Sequence, residues 1–170
     1  MEVLRAVMER RSVRSFLKKD IPDDVMHVLI NSLIWAPSAG NLQSRKFFFV
    51  RDEQLKRRLA SAALNQDFIA EAPLTIVCCT DAGIRRHYGQ RGVELYAIQD
   101  VSASIMGMML VAREKGLGTC WVGAFREEEV SQILELSENL RPVAMVPVGY
   151  PSRSPSPPSR VSVKEAVIFK

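Results

Sequence analysis

A helical stretch from about Val93 to Lys115, closed by Gly116 and Gly118, restricts this chain more than any other feature. Ala97, Ile98, Val101, Ile105, Met108, Met109 and Val111 combine with the small residues Ala103, Ser104, Gly107 and Ala112 and leave few polar positions. A helix that is apolar nearly all round must be covered on most sides. The chain has 170 residues, enough for one domain with a substantial core. Burying such a helix in that length is easier if a second subunit supplies part of the cover. The expectation is a homodimer with this helix at its centre. The methionines read as adaptable packing, not as metal ligands.

Apolar runs place the strands. Lys46 to Arg51 carries Phe47-Phe48-Phe49-Val50, and Leu74 to Thr80 is seven residues rich in β-branched side chains, so both read as buried strands. Thr119 to Gly123 supplies a short strand and Arg141 to Tyr150 another, where Pro142 and Pro147 suggest strand ends or a sheet edge. Helices are expected over residues 2–9, with Val3, Leu4, Val7 and Met8 as the docking face, and over 23–35, 53–64 and 125–136. The second of these turns Val25, Val28, Leu29, Ser32 and Leu33 inward. Residues 81–92, polar and glycine-punctuated, read as a mobile loop. His87 there, and His27 on the second helix, are expected to be solvated.

Pro151 to Arg160 is rich in proline and serine and should be extended, reaching roughly 30 Å at about 3.1 Å per residue. The apolar tail that follows, Val161 to Phe169, needs a surface to cover. The expected organisation is a body of residues 1–150 and an arm of residues 151–170 that packs on the partner subunit.

Two stretches carry candidate chemistry. In Arg10-Arg11-Ser12-Val13-Arg14, an extended backbone would send Arg10, Ser12 and Arg14 to the same side. Two guanidinium forks and a hydroxyl then form a receptor for a small dianion such as a phosphate monoester. The alternative is a solvated basic turn. Pro37-Ser38-Ala39-Gly40-Asn41-Leu42-Gln43-Ser44 is a loop of small and amide side chains. It lets backbone come close to a planar ligand, while Asn41 and Gln43 offer donors and acceptors. The alternative here is an ordinary helix-to-strand connection.

Charge narrows the partners. The net charge is +4, with 16 arginines against 7 lysines. That excess suits phosphate or carboxylate recognition. The arginines are scattered and not interleaved with aromatics, so nucleic-acid binding is not expected. The N-terminal stretch is amphipathic and charged, so no signal peptide is expected, and no apolar run is expected to reach the roughly 20 residues of a membrane span. Cys78, Cys79 and Cys120 have no metal-ligand spacing and fit no disulfide framework, which points to buried thiols in the cytoplasm. No metal site is expected. Phosphate-binding glycine motifs, zinc motifs and a nucleophile elbow are all missing. A phosphate grip beside a close-approach loop, without acid–base machinery, suggests that a bound cofactor carries the chemistry.

With these pieces in order, the chain resembles the nitroreductase family of FMN-dependent oxidoreductases, in one of its shorter members. The resemblance rests on Arg10-Arg11-Ser12-Val13-Arg14, Ala36 to Gln43, Glu71-Ala72-Pro73, the long helix, Gly118-Thr119-Cys120-Trp121-Val122-Gly123 and Val148-Gly149-Tyr150-Pro151. It implies an α+β fold with a mixed sheet flanked by helices, in an intertwined homodimer with FMN at the subunit interface. By position, Arg10, Ser12 and Arg14 would serve the FMN phosphate and ribityl chain, joined by Arg160 from the arm. The family often has a second basic residue two places earlier; here Pro158 stands there, and Arg11 would complete the grip. Pro37, Ser38, Ala39, Asn41 and Gln43 would form the loop that reaches the flavin from the other subunit. Val122 and Gly123 would lie near the ring. The implied reaction passes electrons from NADH or NADPH to a nitroaromatic, quinone or similar small acceptor in ping-pong order. Related flavin chemistry (dehalogenation, flavin fragmentation, heterocycle oxidation) and a non-catalytic flavin- or nucleotide-binding dimer are the alternatives.

Overall fold

The computed structural model describes residues 2–170. The chain runs α1 (Val3–Glu9), α2 (Asp23–Ile34), β1 (Arg45–Val50), α3 (Glu53–Ala62), α4 (Phe68–Glu71), β2 (Leu74–Asp81), α5 (Arg85–Arg91), α6 (Ala97–Glu114), β3 (Gly118–Thr119), α7 (Glu127–Ile133), β4 (Leu140–Gly149) and α8 (Val163–Ala166). The architecture is α+β: one four-stranded sheet in the order β1-β2-β4-β3, with helices on both faces. The ladders are antiparallel. A parallel element joins them where Ser12 bridges Thr119.

Burial on both faces explains the composition of β2. Leu74, Ile76 and Cys78 face α2 and α6, packing on Leu29, Leu33, Val101, Ile105 and Met108. Val77 and Cys79 face the opposite way, toward Leu59, Ile69 and Val130 of α3, α4 and α7. A strand covered twice has no use for the polar half of an alternating pattern.

β4 corrects the edge reading of its prolines: it lies inside the sheet, between β2 and β3. Pro142 falls where the β2–β4 register shifts, between the pairs Cys78–Ala144 and Cys79–Pro142. A bulge tolerates the missing donor. The Pro147 carbonyl accepts from the Cys120 N–H. Since N–H and C=O of one residue point to the same side, the donor that proline lacks would face β3 and is not taken from the β2 ladder.

Residues 81–92 also differ from expectation. They are helical on either side of a break at Gly89 (φ 58°, ψ −149°): a 3₁₀ turn over Ala82–Ile84, capped by Asp81 through the Gly83 N–H at 2.8 Å, leads into α5, and a π turn over Gly92–Tyr96 follows. This run continues directly into α6. The whole, Ala82–Glu114, is long and apolar enough by length and composition to cross a membrane. However, Ala97, Val101, Ile105, Met108, Met109 and Ala112 are buried in the core.

α1 reverses its expected orientation. It docks by Ala6, while Val3, Leu4, Val7 and Met8 are exposed. α2 buries Met26, Leu29 and Leu33; Val28 is exposed. His27 and His87 are exposed. The body closes with the Phe16–Pro151 bridge and the bond from Ser152 N–H to Ser15 O. Every residue from Ser152 to Lys170 is exposed.

Candidate functional site

The basic pentapeptide has the alternation expected of it. Ser12 lies in an extended bridge beside Thr119, and the Val13 N–H donates to Thr119 O at 2.9 Å. Val13 points inward and is buried. Its neighbours point the other way, and three side chains of the pentapeptide act on one sulfur. Burial pushes the Cys120 thiol up; the Arg14 charge, a hydrogen bond from Ser12 and the Arg10 charge oppose it. So Arg10, Ser12 and Arg14 all lie within reach of the Cys120 sulfur. Arg14 also stacks over the Phe68 ring, 5.9 Å from its centroid. Arg11 turns away, its Nη1 donating to Met8 O at 2.6 Å and Arg10 O at 2.8 Å.

The Arg10 Nε is buried without a hydrogen-bond partner. Beside it opens a cavity of about 220 Å³ lined by Arg10, Arg11, Arg113, Glu9, Thr119 and prolines of the arm. Arg113 is held there by Glu9 at 2.9 Å, and Val13, not Ser12 or Arg14, lines the wall; an open donor of this cavity is the Arg10 Nε–H, a group suited to an anion. A larger cavity, about 920 Å³, lies elsewhere, between Leu17–Asp23 and α3. Its walls set Asp20, Asp23, Glu53, Asp67 and Glu71 against Lys18, Lys19, Arg51, Lys56 and Arg57, so it offers no excess of positive charge to an anion.

The loop after α2 forms the second cluster. It includes a 3₁₀ turn over Ala39–Asn41, with Gly40, Asn41 and Gln43 all left-handed (φ 54°, 55° and 54°). The Ser38 hydroxyl accepts from the Gln43 N–H at 3.1 Å, and Gln43 Nε2 reaches Asn41 O at 3.4 Å. Tyr88 of α5 lies against Gly40, its hydroxyl 2.6 Å from where a β-carbon would stand. Two buried charges hold the backbone. Arg45 donates to the carbonyls of Ile34, Ala36 and Pro37, and Asp100 accepts from the Ala39 N–H. The sequence reading missed both. Asp100 carried a signal, as the single charged residue between Ala97 and Ala112 in an apolar helix.

Val122 is buried and exchanges both backbone hydrogen bonds with Met145 at 2.9 Å. Its N–H is therefore taken within the sheet, so Val122 has no free amide to offer a ligand. Gly123 beside it is exposed. Arg160 is not brought to the grip within the single chain: it is exposed, and its Nη1 donates to Ser159 O. Nor do the loop and the grip share a partner, the loop being held by Arg45, Asp100 and Tyr88 and the grip by Thr119, Cys120 and Phe68. Among the described residues, no group of three or more His, Cys, Asp or Glu side chains could hold a metal ion.

The sequence profile of the nitroreductase family matches residues 7–66 and 60–150. The chain belongs to the nitroreductase family. Among its relatives, the NADH dehydrogenase of Thermus thermophilus is 27% identical, over 100% of this chain and 97% of that one. The FMN reductase [NAD(P)H] of Bacillus subtilis is 27% identical, over 89% of this chain and 66% of that one. The solved structure of B. megaterium NfrA2 superposes with a TM-score of 0.92 at 25% identity, covering 99% of this chain and 74% of that one.

Proposed function

We propose that the protein is an FMN-dependent NAD(P)H oxidoreductase, working as a homodimer with each flavin held at the subunit interface. The observation that carries this reading is the placing of Arg10, Ser12 and Arg14 within reach of one sulfur, with a buried, unpartnered guanidinium N–H on Arg10. The names of the relatives, an FMN reductase and an NADH dehydrogenase, support it.

Arg10, Ser12 and Arg14 would hold the phosphate, and Arg11 would add its positive charge once freed from the Met8 and Arg10 carbonyls. Arg160 would join them in the dimer, carried by the arm. The partner's copy of the loop from Pro37 to Gln43 would close over the ring, and the Gly123 amide would meet its polar edge. Bound FMN supplies two-electron chemistry: hydride from NADH or NADPH, then electrons to a nitroaromatic, quinone or similar acceptor in the same place, in ping-pong order. The chain's own part is to anchor, orient and exclude water, and no acid or base of its own is required.

Homodimerisation is supported by what a single chain leaves bare. Val163, Ile168 and Phe169 of the arm are 71%, 79% and 91% exposed. Next to the loop, a recess of about 590 Å³ is lined by Ile30, Leu33, Ile34, Phe47 and Phe49 on one part and by Gln43, Arg45 and Lys46 on another, and the apolar part suits such a tail. Three free, buried cysteines fit a reducing compartment, the cytoplasm.

The test is spectroscopic. Protein that retains FMN should bleach on NADH or NADPH without oxygen and recover its colour on adding a quinone or nitroaromatic. Bound flavin that neither donor reduces would refute the oxidoreductase reading.

A further inference from the structure

Arg45 and Asp100 are each buried, at 6% and 5% exposure. They come from opposite sides of the loop, Arg45 from the start of β1 and Asp100 from the first turn of α6. Arg45 Nη2 donates to Ala36 O at 2.7 Å and Ile34 O at 3.1 Å, and Nη1 donates to Pro37 O at 3.0 Å. These carbonyls lie at and just beyond the C-terminus of α2, where helical partners run out and the dipole favours a cation. Asp100 Oδ1 accepts from the Ala39 N–H at 2.9 Å. Four backbone groups across residues 34–39 are thus fixed by two side chains. Burial pulls the Arg45 guanidinium down, and the Asp100 charge opposes that pull.

Such a clamp is more than the loop needs to stay on the surface. A buried charge costs stability unless it is compensated, and the second oxygen of Asp100 is buried with no hydrogen-bond partner. Yet the segment that the pair holds leads directly into Gly40, Asn41 and Gln43, whose left-handed conformations set the direction of the loop tip.

We propose that Arg45 and Asp100 are positioning residues that hold the loop from Pro37 to Gln43 in its flavin-binding conformation. The proposal rests on the flavin reading above. Neither side chain touches the ring; both act through backbone. If only a fraction of the molecules has the competent loop, the apparent dissociation constant rises by the inverse of that fraction. Removing one charge-assisted contact to the loop should lower the fraction to about a tenth or less.

The experiment compares wild type with R45K, D100A and D100N as full-length protein. It measures the FMN dissociation constant and the visible circular dichroism of bound flavin, at a temperature well below each melting point. Lysine keeps the charge but cannot bridge three carbonyls, and alanine removes the acceptor for Ala39. Both should raise the dissociation constant at least about tenfold and change the dichroism. D100N keeps an amide oxygen for the Ala39 N–H but loses the charge, so its dissociation constant should fall between those of wild type and D100A. A purely structural role would lower the melting temperature and leave folded protein with the wild-type constant; that result for R45K or D100A overturns the proposal. Should D100A not fold, R45K decides by the same threshold. Wild-type protein without affinity for FMN would instead refute the flavin reading, and this inference with it, before any variant is compared.

Discussion

Gly118→Ala should damage FMN binding without touching the ligand. A β-carbon at Gly118 would stand 2.8 Å from the β-carbon of Val13 and 2.7 and 2.9 Å from its two γ-carbons. Rotating Val13 cannot relieve this, because the closest approach includes Cβ itself and the side chain is stiff and buried. The strand must move. Opening the Cβ pair from 2.8 Å to an ordinary 3.4 Å requires 0.6 Å. Along the bond from Val13 N–H to Thr119 O, now 2.9 Å, that shift would give about 3.5 Å and lose the bond. Overpacking at about 1–3 kcal/mol and a hydrogen bond at about 1 kcal/mol sum to roughly 2–4 kcal/mol. For a chain of this size that lowers the melting temperature by roughly 4 to 16 °C. Ser12 and Arg14 flank Val13 and move with it, so the FMN dissociation constant should rise at least about tenfold. Flavin titration and thermal melting read both effects. Gly116→Ala is the control. It meets nothing within 4 Å but sits at φ 76°, so it should lower stability and leave FMN affinity alone. If Gly118→Ala melted like wild type, the close contact would be misjudged; if it lost stability at unchanged affinity, the link from Val13 to the grip would be wrong.

Ser12→Ala and Arg14→Ala should each weaken FMN binding by about ten- to hundredfold, the scale of a charge-assisted phosphate contact, with little change in far-ultraviolet dichroism; unchanged affinity in the titration would remove these residues from the site. Truncation before Val161 should weaken dimerisation or lower the melting temperature, and a truncated protein with the same sedimentation and the same melting would refute the crossing arm. Burial raises the Cys79 thiol from 9.0 to about 12. The raised value means that its contribution to stability is intact below pH 9 and is lost as pH climbs toward 12, at about 1.4 kcal/mol per unit. Cys79→Ala should therefore flatten the alkaline decline in stability relative to wild type, and equal slopes in denaturant titrations would contradict the burial argument.

The sequence made the grip legible because the rule behind it is local. Alternate residues of an extended segment share a side, and Val13 between them carries the apolar signal of the opposite face. The strand at Leu74–Asp81 was equally plain, since two covered faces leave an uninterrupted apolar run. Reading failed where the deciding partner is distant. Pro142 and Pro147 argued for an edge, but a bulge and a two-residue neighbour let β4 sit inside the sheet. Gly83, Gly89 and Gly92 argued for a loop; Gly89 does break the helix at φ 58°, but the Asp81 cap before it and the continuity with α6 after it make the flanks helical. Asp100 stood out as a charge in an apolar helix, yet its contact lies 61 positions away at the Ala39 amide, and no spacing rule reaches that far.

The same distinction bears on assembly. Val3, Leu4, Val7 and Met8, exposed on α1, run directly into the grip at Arg10. Trp35, 84% exposed, precedes the loop that begins at Pro37. Val161, Val163, Ile168 and Phe169 follow Arg160. Each stretch proposed to meet FMN therefore adjoins bare apolar surface, and burying such surface is the main favourable term in association. A flavin site confined to one chain would leave all three patches in water and the loop and grip without a common partner. A second copy that covers the patches would bring Arg160 and the loop toward the grip with the same motion. This is why flavin affinity and dimer affinity should fall together when the arm is cut, and loss of one without the other would separate the cofactor site from the interface.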